Sequence, residues 1–152
     1  MTAKTAAGLL PRDLTWPHAP PPMSLSDVFW VYARRKGRIP PPKARSGKWL
    51  VFVDKAEANA LWGVIARATT EGKLGPSAKC GTARENPNAY NPMQTVICVY
   101  TPDFDDNEDV MRVRDVLREL GVTWQIPYKL DSATLEGRYA VRGSARTTEM
   151  WA

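Results

Sequence analysis

The chain has 152 residues, 43% of them hydrophobic and 24% charged, which is enough for one domain with a buried core. Its net charge is +5, its apolar runs are far too short to span a bilayer, and Met1–Leu10 lacks the apolar stretch of a secretory signal, so a cytoplasmic protein without membrane contact is expected. The two cysteines and single histidine have no metal-ligand spacing, so no metal or other cofactor is expected, and Cys80 and Cys98 read as reduced core thiols.

Residues 1–23 carry Pro11, Pro17 and the triplet Pro20-Pro21-Pro22, which favour extended, poorly ordered backbone. Pro17 and Pro20 form a PxxP pattern, which makes this leader a candidate docking segment for a protein partner. Trp16 is placed to pin it onto the rest of the chain. Ser24-Leu25-Ser26-Asp27 has the character of a helix start, with Leu25, Val28, Phe29 and Tyr32 at helical spacing and Gly37 as the stop. A second triplet, Pro40-Pro41-Pro42, bridges to Gly47. A basic leader domain over 1–46 with one short helix, followed by an α+β domain over 47–152, is the expected organisation.

Charge follows the same division. Residues 1–48 hold nine Lys/Arg against two acids, a balance of +7, and residues 49–152 hold twelve against fourteen, a balance of −2. Arg34, Arg35, Lys36, Arg38, Lys43, Arg45 and Lys48 follow one another with no acid among them, a stripe suited to tracking a phosphate backbone.

Strand and helix patterns then alternate. Lys48–Val53 is expected as a strand, and Asp54 as the cap of a helix with Ala56, Ala60, Leu61, Val64, Ile65 and Ala68 inward and Gly72 at its end. Ser77–Thr82 and Thr95–Tyr100 read as strands, the latter apolar on both faces and so central. Between them lies a polar loop, 83–93. The acidic run Asp103, Asp105, Asp106, Glu108 and Asp109 fits helix capping, ahead of a helix with Val110, Val113, Val116, Leu117 and Leu120 inward and Gly121 as its stop. Thr123–Lys129 is a fourth strand, placed at an edge or bulged by Pro127, and Gly137–Arg142 a fifth. The expected fold is α+β: a mostly antiparallel sheet with helices on one face and the other face open.

Parity along the strands assigns that open face. Lys79, Lys129, Arg138 and Arg142 share it, with Arg84 closing one end, and such a cluster suits a phosphorylated ligand, either a small molecule, above all a nucleotide, or RNA. Trp49, Trp62 and Trp124 are expected in the core, and Trp16 and Trp30 as stacking platforms. His18 lies in the leader, so a Ser-His-Asp or Cys-His pair within the domain is excluded. The candidate catalytic groups are Lys79 and Lys129, whose basicity desolvation would lower.

Gly47-Lys48-Trp49-Leu50, Trp62, Gly72-Lys73-Leu74, Ala78-Lys79, Val96–Thr101, Asp103-Phe104, Val113, Leu117, Tyr128-Lys129, Asp131 and Thr134 together resemble the basophilic leukaemia-expressed protein family over about residues 47–140. That resemblance implies a fold similar to initiation factor 4E, a curved antiparallel sheet backed by helices. Relatives of this kind are also similar to phosphothreonine lyases, which implies Lys79 or Lys129 as a base and Arg84, Arg138 or Arg142 as a phosphate clamp. Three functions stay open: phosphorylated-ligand binding on the sheet face, lysine-driven elimination, and protein docking through the leader.

Overall fold

The computed structural model describes residues 11–37, 45–87, 91–131 and 150–152. Within them the strands are β1 (Trp30–Arg34), β2 (Gly47–Asp54), β3 (Ser77–Gly81), β4 (Gln94–Thr101), β5 (Pro127–Leu130) and β6 (Met150–Trp151). Helix α1 (Lys55–Thr70) follows β2, and α2 (Asn107–Glu119) follows β4. The strands form one curved sheet in the order β1-β3-β4-β2-β5-β6, with every neighbouring pair antiparallel.

Alternation builds the core. In β2, Trp49, Val51 and Val53 are buried while Lys48, Leu50 and Phe52 point the other way. The buried set meets Val31 and Ala33 of β1, Ala78 and Cys80 of β3, Ile97 and Val99 of β4 and Tyr128 of β5 in one cluster with both helices. Trp49 is fully buried, packs edge-on against Tyr128 and donates its indole N–H to the Val110 carbonyl of α2 at 3.0 Å. Both helices therefore lie on one face of the sheet, as the sequence pattern implied.

Several expected elements are corrected. The segment expected as a helix from Ser24 is a short 3₁₀ turn, Pro22–Ser24, and then strand β1. Val31 and Ala33 go inward and Tyr32 and Arg34 outward, and all five β1 residues pair with β3. Trp-Val-Tyr favours a pleated surface, and hydrogen bonding to β3 outweighs the helical spacing of Leu25, Val28 and Phe29. The sheet thus includes residues N-terminal to Gly47. Within the segment expected to be poorly ordered, residues 11–23 pack: Leu14, Trp16, Ala19 and Met23 lie against the core, and the Trp16 amide donates to the Tyr32 carbonyl at 2.8 Å. Pro17 and Pro20 remain exposed.

The inward face of α1 is rotated from the expected stripe. Ala58, Trp62, Ile65, Ala66, Ala68 and Thr69 are buried, whereas Ala56 and Ala60 are exposed and Val64 is 44% exposed. Asp54 occupies the N-cap position but makes no cap hydrogen bond; its carboxylate accepts from the Gln94 side chain at 3.3 Å. Pro127 does not mark an outermost strand, because β5 lies between β2 and β6. Trp124 is 41% exposed rather than packed. In α2 the inward set is Val110, Val113, Leu117 and, unexpectedly, Arg114. Gly72 and Gly121 end the two helices at φ 82 and φ 110, a conformation glycine adopts without strain. The expected fifth strand, Gly137–Arg142, and the bridge Pro40–Pro42 lie outside the described residues.

Candidate functional site

The face of the sheet away from the helices is built by register. Tyr32 pairs with Lys79, Lys79 with Cys98, and Cys98 with Leu50. Tyr100 pairs with Lys48, and Lys48 with Lys129. Each residue in these pairs shares its neighbour's face. Lys48, Lys79 and Lys129 are therefore brought onto one surface from three strands, and all three are only partly exposed.

The electrostatics follow from that crowding. Lys48 donates to the Asp131 carboxylate at 2.7 Å, with the two side chains 12% and 19% exposed, and its ammonium lies 5.5 Å from the Tyr100 ring centre. Lys79 sits 3.9 Å over the Trp30 ring. Burial lowers the Lys79 pKa from the usual lysine value, and the charge of Lys48 lowers it further. Lys129 is shifted down by burial first and then by Lys48. Cys98 lies beneath the amines, and burial pushes its thiol pKa up. Cys80, on the adjacent strand, faces the helices, so the two free thiols point to opposite sides of the sheet.

Aromatic and apolar side chains share this face. Phe52 is 41% and Tyr32 37% exposed, with Leu50, Val96 and Trp30 beside them. Arg84 lies beyond the end of β3, stacked 4.1 Å over the Phe29 ring and donating to the Asp27 carbonyl at 3.1 Å. Arg138 and Arg142 lie outside the described residues.

The basic stripe does not stay linear. Arg34 projects from the same face of β1 as Tyr32. The Arg35 amide bonds to the Pro76 carbonyl at 3.0 Å and the Lys36 amide to the Thr70 carbonyl at 3.1 Å, which turns the chain along the end of α1. Arg45 is held by Asp103 and Asp105 and lies 5.2 Å from the Phe104 ring centre. Arg38 and Lys43 lie outside the described residues. The acids of the 103–109 run have structural work: Asp106 caps α2 through the Asp109 amide at 3.1 Å, Asp103 accepts from the Asp105 amide at 2.9 Å, and Asp109 holds Arg112 at 2.9 Å.

Lys48 is the functional candidate that strand parity alone would have placed with Lys79 and Lys129. Its neighbours Gly47 and Trp49 are buried, so it must face the other way. Phe52 follows from the same alternation.

Residues 41–135 match the family model of the basophilic leukemia-expressed protein Bles03. The chain belongs to that family. Similar solved structures are initiation factor 4E proteins. A schistosome eIF4E complexed with m7GpppA and a 4E-BP is 14% identical with a TM-score of 0.64, covering 89% of this chain and 76% of that one. The Caenorhabditis elegans eIF4E-3 complex with the 4E-binding protein Mextli and a cap analog is 16% identical with a TM-score of 0.61, covering 90% and 76%. Ascaris suum eIF4E-3 with an m2,2,7G cap is 18% identical with a TM-score of 0.56, covering 80% and 68%. This family member has the initiation-factor-4E-like fold, and no helix among its described residues is long and apolar enough to cross a membrane.

Proposed function

We propose that the protein binds a phosphorylated ligand, a nucleotide or RNA, on the sheet face that carries Lys48, Lys79 and Lys129. The observation that carries this reading is the placement of three partly buried amines on one rigid surface. Burial disfavours the charged forms of Lys79 and Lys129, the Lys48 charge adds to that even with Lys48 held by Asp131, and a bound anion offsets the cost. Arg34, at the margin of the same face, extends the positive field. The neighbours solved with cap nucleotides support the same ligand class on the same fold.

A thermal-shift screen against nucleotides, short RNAs, phosphopeptides and inorganic phosphate tests it, because a ligand of the native state raises its apparent stability. Stabilisation that weakens with salt and is lost in Lys79→Ala is the expected result. Binding also falls as pH rises, because only protonated amines attract phosphate. The fall starts below the usual lysine range, since both Lys79 and Lys129 are shifted down. Absence of any stabilisation by phosphate-bearing compounds, at low and moderate salt alike, rules the reading out.

The lowered basicity of Lys79 and Lys129 also favours a second reading, in which one of them abstracts a proton and phosphate leaves by elimination. Phosphate release from a phosphothreonine peptide, abolished in Lys79→Ala or Lys129→Ala, would support it; no release by the intact protein excludes it.

A further inference from the structure

Three amines share the open face, and their surroundings differ. Lys48 donates to Asp131 at 2.7 Å and stands directly opposite Lys129 on the next strand. Lys79 lies two strands from Lys48, across β4. Among the described residues no carboxylate comes within ion-pair distance of Lys79, and its ammonium rests 3.9 Å over the Trp30 ring instead. A neutral ring attracts an ammonium less than a carboxylate does, so it holds the proton less firmly. Tyr32 pairs with Lys79 on one side and Cys98, 3% exposed, on the other, so the stem of Lys79 runs between side chains of both neighbouring strands. Burial and the Lys48 charge both favour its neutral amine. Asp131 meanwhile keeps Lys48 a cation. A partly desolvated lysine beside a fixed cation is the arrangement that makes an amine a nucleophile.

Resting on the phosphate site proposed above, we propose that Lys79 captures a short phosphorylated carbonyl compound as an imine, with the phosphate seated between Lys48 and Lys129. The step needs neither oxidant nor reductant. The lone pair of the neutral Lys79 Nζ bonds the carbonyl carbon, the C=O π pair moves to oxygen, and one nitrogen proton passes to that oxygen. The hydroxyl so formed leaves as water with the second nitrogen proton, and a carbon–nitrogen double bond remains. Spacing sets the size of the ligand. Adjacent strands lie about 4.8 Å apart, so β3 and β2 are roughly 10 Å apart across β4. The Lys48 charge is nonetheless felt at Lys79, so the two side chains lean into that gap. What remains between them suits a chain of a few carbons ending in phosphate.

Borohydride trapping of the full chain with glyceraldehyde 3-phosphate, followed by peptide mass mapping, tests this. Hydride added to the imine carbon fixes the adduct as a secondary amine. The expected result is an adduct on Lys79 in preference to the exposed Lys36 and Lys73, with the preference lost when the chain is unfolded in urea. Glyceraldehyde, which lacks the phosphate, is expected to label Lys79 at least about tenfold less, the loss of one charge-assisted contact. Inorganic phosphate protects Lys79 from the phosphorylated aldehyde, and Lys129→Gln brings its labelling down toward that of glyceraldehyde. Lys79→Arg keeps the positive charge and abolishes the phosphate-dependent adduct. Labelling spread evenly over Lys36, Lys73 and Lys79, or a phosphate-dependent adduct that survives Lys79→Arg, overturns the assignment of Lys79. If inorganic phosphate stabilises the fold but no adduct forms on Lys79, the imine falls and the phosphate site stands. If both aldehydes label Lys79 equally and inorganic phosphate gives no protection, the phosphate seat falls, and the reading above falls with it.

Discussion

Gly47 shows how one residue serves both the core and the site. A Cβ there would lie within van der Waals exclusion of the Tyr128 hydroxyl and ring, and that hydroxyl hydrogen-bonds Thr101 Oγ1 at 2.6 Å. The close approach lets β2 and β5 pair where Lys48 and Lys129 meet on the opposite face. Gly47→Ala is expected to destabilise the protein by about 1–3 kcal/mol, the usual cost of overpacking. Chemical denaturation measures it, and a wild-type midpoint would overturn the account. The glycine was visible in the sequence, but nothing local to it announced a tyrosine 81 positions away on the adjoining strand. Lys48 is the opposite case. Its face was legible from the alternation of its neighbours, and only its membership of a linear basic run drew attention elsewhere.

Elements were legible where burial imposes a period or an unbroken apolar run. β2, β3 and α2 were recoverable from their periods and β4 from its apolar run, with small shifts of boundary. β1 was not, because five residues contain only two inward positions, too few to separate a period of two from one near four. The stripe of α1 was misplaced for a related reason. Alanine, which is indifferent to burial, occupies Ala56, Ala58, Ala60, Ala66 and Ala68, so the pattern cannot fix the rotation, and Trp62 sets it by entering the core. Ile65→Ala is therefore expected to cost about 2–5 kcal/mol as a cavity mutation, and Val64→Ala, on the exposed side, no more than about 0.5 kcal/mol. Comparable losses in the two variants, measured by denaturant unfolding, would place the helix in the wrong rotation.

At the scale of the whole molecule, Arg114 ties distant parts together. It is 1% exposed and donates to the carbonyls of Val122, Trp124 and Ala152 at 2.9, 2.7 and 3.0 Å, joining α2 to the following loop and to the strand β6 beyond. Burial pulls its pKa down from the usual value, yet a guanidinium so placed stays protonated. Arg114→Ala is expected to cost about 3 kcal/mol, since buried carbonyls left unpaired each cost roughly 1–3 kcal/mol, and hydrogen exchange should show β5 and β6 losing protection first. Unchanged protection there would argue against the tie. An arginine in a helix otherwise rich in charge gives no sign that it is buried, because its three acceptors come from other segments. What the sequence determined by itself was the element type over most of the domain, the side of β2, β3 and β5 that faces the helices, and the presence of Lys79 and Lys129 on the other side; burial and backbone pleat impose those periods locally. What only the tertiary structure decided was the strand order, the register that brings Lys48, Lys79 and Lys129 together, and the rotation of α1. Those depend on hydrogen bonds and packing between segments far apart in the chain, where local pattern carries no information about the partner.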